Sequence, residues 1–370
     1  MPKISIVLPS YNGQKYIRQS IESVINQTFK DWELIVVNDC SSDRTKEIVK
    51  EYLSKDRRIN LINNDMNYKL PRSLNIGFEA ARGEYLTWTS DDNLYKPFAV
   101  EKMLQFLETN KQYFMVRADM EMIDDMGKRI SYSPEFRNGS IYMQNYVGAC
   151  FLYRRQVMEK VGEYDTALFG VEDYDYWLRA YEIFGEIASI SEPLYEYRVH
   201  GESVSQTKKS IVDINRKQMY LKHMDFIVKS VSDPIVLTKI YMWIATAGIT
   251  RSDMPIKLLE AAPYLKKIVP LDTSRNDIVV YGAGEMGRKV YRYLGKKIQY
   301  FIDKDKKKAD GYVNGVRIRW INDIDFTDIT GHLIVAVSGS VVGSVLFDLD
   351  ARGVSQYSLW ELRGKGEGLW

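Results

Sequence analysis

The strongest constraint on this chain is the rhythm of its N-terminal stretch, where buried-looking strands alternate with helical spacing and each strand runs into a polar turn. Ile4–Leu8 is a β-branched run ended by Pro9-Ser10-Tyr11-Asn12-Gly13. Ile17, Ile21, Val24 and Ile25 then recur at helical spacing. Trp32–Val37 reads as a second strand and stops at Asn38-Asp39-Cys40-Ser41-Ser42-Asp43, where Ser42 or Asp43 can cap the next helix. Ile59–Ile62 is a third strand, Leu74–Ala81 is helical, and Glu84–Trp88 is a fourth strand ending at Asp91-Asp92-Asn93. Such alternation builds a parallel, doubly wound α/β sheet. Ligands bind these sheets at the carboxyl ends of the strands, so the polar clusters should converge on one crevice.

Two further regions follow. Thr207–Asp272 is helical and strand-poor, with patterned stretches Ile211–Ile227 and Leu258–Ile268, the second interrupted by Pro263. Its lysines read as a solvated helix face. Pro234–Ile249 is its most apolar part, but Thr238 and Lys239 interrupt it short of the roughly 18 residues a bilayer span needs. It is expected to be a buried or interface helix. From about Asn276 the pattern returns to strand Ile278–Tyr281, then Gly282-Ala283-Gly284-Glu285-Met286-Gly287, a helix through Val290 and Leu294, strand Ile298–Ile302 and Asp303. A later strand is Leu333–Val337. The expected division is residues 1–206, a helical segment 207–274, and a small Rossmann-like α/β domain 275–370.

Composition removes several classes of function. The formal charge is +2, from 51 Lys+Arg against 49 Asp+Glu, which lacks the basic excess of a nucleic-acid binder. Two cysteines and three histidines exclude a disulfide framework and leave little for a structural zinc site. Any metal would be a hard cation held by carboxylates. The N-terminus runs straight into a strand with no leader-like core, so a cytoplasmic location is expected.

Four constellations can carry chemistry. Asp91 and Asp92 stand at a strand end, where two adjacent carboxylates repel unless a cation or donor compensates; the same residues make good turn chemistry. Asp39 could accept from a base or ribose, or form a cap. Glu172 and Asp173 open a helical stretch, where acids also favour the helix dipole. Trp177, one turn on, suits a sugar ring or the core. His200 could ligate a metal, touch a phosphate or be structural.

The segment from Ser5 to about Ser205 resembles the inverting GT-A glycosyltransferases of family 2, the bacterial group that builds surface polysaccharides. The matching pieces are Ile6-Val7-Leu8-Pro9-Ser10-Tyr11-Asn12, Val36–Asp43, Asn67 with Leu74-Asn75-Ile76-Gly77, Gly83–Leu86, Ser90-Asp91-Asp92, Gly162–Asp165, Glu172-Asp173 and Tyr197-Arg198-Val199-His200. Their order and spacing over more than half the chain make the signal. The resemblance implies that Pro9, Tyr11, Asn12, Asn67, Asn75, Arg198 and Trp177 line a nucleotide-sugar pocket, that Asp39, with Asp43 nearby, holds a base, usually uracil, and that Asp92 ligates Mg²⁺ or Mn²⁺ with His200 close by. Asp173, with Glu172 beside it, would be the base that activates an acceptor hydroxyl. Two departures stand out: Asn38-Asp39 where the family usually has Asp-Asp, and Ser90 where its DxD motif usually begins with Asp, so that Asp91 would share the metal or donor-sugar role.

The implied reaction is transfer from a nucleotide sugar, a UDP-sugar above all, to a saccharide or lipid-linked saccharide with inversion. A lipid-linked acceptor would bring peripheral contact with the cytoplasmic membrane face. Homo-oligomerisation stays open. The C-terminal region supports a rival class, a dinucleotide-binding oxidoreductase: Gly282, Gly284 and Gly287 would admit a pyrophosphate, and Asp303 stands about 20 residues on, where a ribose-binding acid belongs. It also resembles small Rossmann-type domains attached to some sugar-modifying enzymes, with a scaffold role as the alternative. A third class is a non-catalytic nucleotide-sugar binding module in which Ser90 marks lost metal binding.

Overall fold

The computed structural model describes residues 1–133, 141–142, 144–201, 207–246, 254–329, 331–338 and 341–360. The described chain forms two compact units, Met1–Met219 and Tyr220–Trp370.

The first unit is a mixed α/β layer built on one curled sheet. Its elements are β1 (Ile4–Ser10), α1 (Ile17–Ile25), β2 (Trp32–Asn38), α2 (Thr45–Leu53), β3 (Ile59–Asn63), α3 (Lys69–Ala80), β4 (Tyr85–Trp88), β5 (Leu94–Tyr95), α4 (Ala99–Thr109), β6 (Met115–Ile123), β7 (Arg129–Ser133), β8 (Phe151–Arg154), α5 (Arg155–Val161), α6 (Glu172–Phe184) and β9 (Ala188–Arg198). The strand order is β3-β2-β1-β4-β8-β6-β9-β5, with β7 beside β6. Strands β3, β2, β1 and β4 are parallel, β8 runs against both β4 and β6, and β9 is parallel to β6. Every residue of β1 and β2 is buried, as central parallel strands covered on both faces require. Gly77 lets α3 lie close to β1: a Cβ there would fall 2.3 Å from Val7 Cγ1.

The strands predicted at Ile4, Trp32, Ile59 and Glu84 are all present, and each runs to within two residues of its expected end. Helix α3 starts at Lys69, well before the expected Leu74, and includes Pro71 in its first turn, where a missing N–H costs nothing. Lys69 itself has φ +71.

Helix α7 (Lys209–Ser230) spans the division between the units. The second unit continues with α8 (Pro234–Thr246), α9 (Ile256–Ala261), β10 (Ile278–Tyr281), α10 (Glu285–Leu294), β11 (Ile298–Asp303), β12 (Tyr312–Val313), β13 (Val316–Trp320), β14 (His332–Val335), α11 (Val342–Ala351) and β15 (Ser358–Leu359). Its sheet order is β12-β13-β11-β10-β14-β15, parallel except for β12. Pro263 converts the stretch after α9 into a 3-10 turn, Pro263–Lys267. Helix α8 is a buried helix, as expected, packed on α11 where Gly343 leaves no room for a Cβ against Ile235. The tail of that apolar stretch toward Ile249 lies outside the described residues. Among the described residues no helix is long and apolar enough to cross a membrane.

Candidate functional site

The loops that follow β1, β2 and β4 meet at the carboxyl edge of the sheet, and their side chains tie them together. Asn12, with φ +56, donates its N–H to Ser41 Oγ and accepts from the Ser42 N–H at its Oδ1. Asp43 accepts from Gln14 N–H and from the Thr45 N–H and hydroxyl. Burial opposes its ionisation, but the bonds from Thr45 and Gln14 outweigh it and hold the carboxyl below its usual range. Asp39 is buried, and its carboxylate accepts from Asn64 Nδ2 (2.7 Å), Tyr68 N–H (2.8 Å) and Lys69 N–H (2.8 Å), capping α3. Asn67 Oδ1 caps the same helix start at Lys69 N–H. Pro9 lies in β1 and Tyr11 is half exposed at its end, so the loop offers an aromatic face to solvent.

Asp91 and Asp92 sit at the turn after β4. Ser10 Oγ donates to Asp91 Oδ2, and Gly13 packs against the same carboxyl: a Cβ there would fall 2.1 Å from Asp91 Oδ2. Burial first, and the charge of Asp92 second, push Asp91 up to about 7. Asp92 Oδ2 lies 2.9 Å from His200 Nε2. Asp92 Oδ1 and His200 Nδ1 are both buried and have no hydrogen-bond partner among the described residues. A buried polar atom without a partner is costly, and these two belong to side chains that pair through their other polar atoms.

The second acidic pair opens α6. Asp173 Oδ2 accepts from Asn145 Nδ2 (2.8 Å) and its Oδ1 from Tyr174 N–H. Burial raises the Asp173 carboxyl above its usual range. Glu172 lies behind it, buried, with Oε2 on Gly170 N–H, and burial together with the charge of Asp173 raises it too. Tyr197, in β9, has a hydroxyl raised by burial first and then by the charges of Asp92 and Asp173.

Several expected pocket residues are turned inward instead. Trp177 is 0% exposed and packs edge-on against Phe151 (4.6 Å between ring centroids) and Tyr153, so it is a core residue with no face for a sugar. Asn75 pairs both of its amide atoms with the Tyr164 backbone and ties α3 to the loop before α6. Arg198 is 2% exposed, with its guanidinium hydrogen-bonded to protein carbonyls. Glu172 is too buried to meet an acceptor. Three contributors had no place among the expected site residues: Ser10 and Gly13, which stand inside the Pro9–Gly13 motif, and Asn145, in a loop without periodicity.

In the second unit Gly282 (φ +105) and Gly287 make the tight turn and the close helix approach expected of a glycine-rich loop; a Cβ on Gly287 would fall 2.0 Å from Gly282 O. A Cβ on Gly284 would meet nothing within 4 Å. Asp303 is taken up by the fold: it accepts from Ala283 N–H (2.9 Å), Asp305 N–H (2.9 Å) and Lys308 Nζ (3.1 Å). Its place at the end of β11 is the expected one, but its partners are protein groups.

The sequence model of glycosyl transferase family 2 matches residues 5–162. Putative glycosyltransferase EpsE of Bacillus subtilis is 32% identical over 211 residues, covering 53% of this chain and 73% of its own. The chain belongs to glycosyl transferase family 2. Another relative in that family's company, the putative teichuronic acid biosynthesis glycosyltransferase TuaG of Bacillus subtilis, is 28% identical over 56% of this chain and 83% of its own. A solved structure, S. aureus TarS 1-349 in complex with UDP-GlcNAc, superposes with a TM-score of 0.52 at 16% identity, over 72% of this chain and 85% of that one, so the fold is GT-A. Glycosyl transfer is the activity that family membership carries.

Proposed function

We propose that the chain transfers a sugar from a nucleoside-diphosphate sugar, of which UDP-GlcNAc is the first to try, to a hydroxyl of a saccharide or lipid-linked saccharide, with inversion, in the building of a bacterial polysaccharide. The donor class draws on the UDP-GlcNAc held by TarS and the pathway class on the name of TuaG. The single observation that carries the site reading is that, at the turn after β4, Asp92 Oδ2 lies 2.9 Å from His200 Nε2 while its Oδ1 is buried with no hydrogen-bond partner among the described residues. Asp92 then serves the diphosphate end of the donor and Asp173 the acceptor.

Asp173 takes the proton from the acceptor hydroxyl, and general-base help of this kind contributes about 10²–10⁴-fold. Its raised pKa makes it a better base than an ordinary carboxylate. A single displacement needs no second carboxylate as nucleophile and inverts the anomeric centre. The loops after β1 and β2 hold the nucleoside, with Tyr11, Asn12, Asp39 and Asp43 at its edge.

Among the described residues no group of three or more His, Cys, Asp or Glu is arranged to hold a metal. The unpartnered Asp92 Oδ1 nevertheless fits a Mg²⁺ or Mn²⁺ ion, since such ions are commonly held by one or two carboxylates together with substrate phosphates. Asp92, with Asp91 and His200 beside it, would hold the ion. When bound it would neutralise charge on the departing diphosphate. The test is release of nucleoside diphosphate from a panel of nucleotide sugars with Mn²⁺, Mg²⁺ or EDTA, on wild type and Asp92→Ala. Release from one donor, lost in the variant, supports the reading. A protein that binds no donor by calorimetry overturns it.

A further inference from the structure

Arg198 is the most buried cation beside the acidic turn, and its partners are unusual. Nε donates to the Asp92 carbonyl (2.9 Å), Nη1 to the carbonyls of Asp124 (3.0 Å) and Asp125 (3.1 Å), and Nη2 to Gln19 Oε1 (2.8 Å). Its own N–H donates to Asn93 Oδ1 (2.8 Å), and its guanidinium lies over the Tyr16 ring at 4.5 Å. All of these hydrogen-bond acceptors are neutral. They come from three separate places: helix α1, the Asp92–Asn93 turn, and the Asp124–Asp125 turn between β6 and β7. The last turn is also tied to the segment just before α1 by Tyr16 Oη and Lys15 Nζ on Asp125. Tyr16 in turn stands 5.6 Å from the His200 ring.

We propose that Arg198 is a positioning residue, a clamp that joins these three segments and so fixes Asp92 against His200. The inference rests on the reading of Asp92 as part of the donor site. A planar fork can reach acceptors on several sides at once, whereas an ammonium is a point charge on a flexible stem. The clamp therefore needs the guanidinium and not merely its charge. This separates it from the alternative role for Arg198, a cation facing the donor's diphosphate, in which Lys would serve in part.

Three variants of the full chain test it: Arg198→Lys, Arg198→Met, and Gln19→Ala, which removes one acceptor from helix α1. Binding of UDP with Mn²⁺ is read by calorimetry, and backbone hydrogen exchange is read at residues 92–93 and 124–126. Both Arg198 variants are expected to weaken UDP–Mn²⁺ binding about tenfold or more, with faster exchange at both turns. Gln19→Ala is expected to reproduce the exchange change in part, and combined with Arg198→Met to add little. Wild-type binding in Arg198→Lys, or loss of binding in Arg198→Met with exchange unchanged at 124–126, overturns the clamp. Should both Arg198 variants fail to fold, Gln19→Ala decides, and wild-type exchange at both turns in that variant overturns the proposal. Absence of UDP–Mn²⁺ binding in wild type would instead sink the donor-site reading, while exchange in Gln19→Ala still tests the clamp.

Discussion

A Cβ on Gly13 would lie 2.1 Å from Asp91 Oδ2 and 2.5 Å from Ser10 Oγ. Contacts that short do not occur between real atoms, so Gly13→Ala must move the Asp91 carboxyl or the loop after β1. The backbone at Gly13 is not in the left-handed region, so alanine brings no conformational strain of its own. The expected outcome is a folded protein whose turnover of a nucleotide sugar falls by on the order of tenfold, equivalent to about 1.4 kcal/mol. Steady-state kinetics beside a melting curve check it. Unchanged turnover would mean that the placement of Asp91 does not matter to the reaction.

Asp173→Asn keeps the shape of the side chain and one of its two accepted bonds, from Asn145 Nδ2 or from Tyr174 N–H, but cannot accept a proton. Transfer should fall by about 10²–10⁴-fold while donor binding by calorimetry stays near wild type. Burial raises the folded-state pKa of Asp173, so its basic form appears only above the usual carboxylate range. Wild-type transfer should therefore decline as pH falls through that raised value. A rate that is flat across the acid limb, measured with the fold intact, would count against Asp173 as the base.

Glu172 predicts a change in stability rather than in chemistry. Its folded pKa is raised above its unfolded value, so the unfolded chain gives up the proton first. Stability is then lost as pH rises from the usual glutamate range toward the raised folded value. Glu172→Gln can still accept from Gly170 N–H and carries no charge. Its melting temperature should exceed that of wild type by a margin that grows with pH over that window. Melting curves at a series of pH values read the margin directly, and a margin that shrinks with pH would refute the assignment.

The parts of this architecture that could be read from sequence are those whose cause is local. A β-branched run followed by Pro9-Ser10-Tyr11-Asn12-Gly13 carries its strand and its turn in adjacent residues, and the same holds for Gly282–Gly287 before α10. The doubly wound α/β sheet follows from that order. Where a side chain points into one of two environments, local pattern is silent. Trp177 stands one turn after Asp173, yet the helix turns it into the core against Phe151, while Asp173 stays at the helix start. Arg198 and Asn75 are polar residues within matched motifs, and both are used by the fold itself. Asn145 reaches Asp173 from 28 residues away out of a loop with no period, so no window of sequence could have paired them. The two-residue strands β12 and β15 are likewise set by the sheet they join.

The second unit poses the rival dinucleotide reading, and Asp303 is where it can be decided. A ribose-binding acid at this position would need oxygens turned to the ligand. Here the carboxylate accepts from Ala283 N–H in the glycine loop, from Asp305 N–H and from Lys308. Burial opposes its ionisation, but those bonds win and hold its pKa below the usual range. A depressed folded pKa contributes stability above the unfolded value and loses it as pH falls through the folded one. Asp303→Ala also strands a buried N–H at Ala283, a penalty of about 1–3 kcal/mol. The expected outcome is a melting temperature lowered by a few degrees at neutral pH, with the gap to wild type narrowing in acid. Millimolar NAD(H) or NADP(H) should leave the wild-type melting temperature unchanged, because Asp303 is occupied as a brace of the loop. A clear stabilisation by either dinucleotide that disappears in Asp303→Ala would reverse this and give the glycine loop a nucleotide ligand.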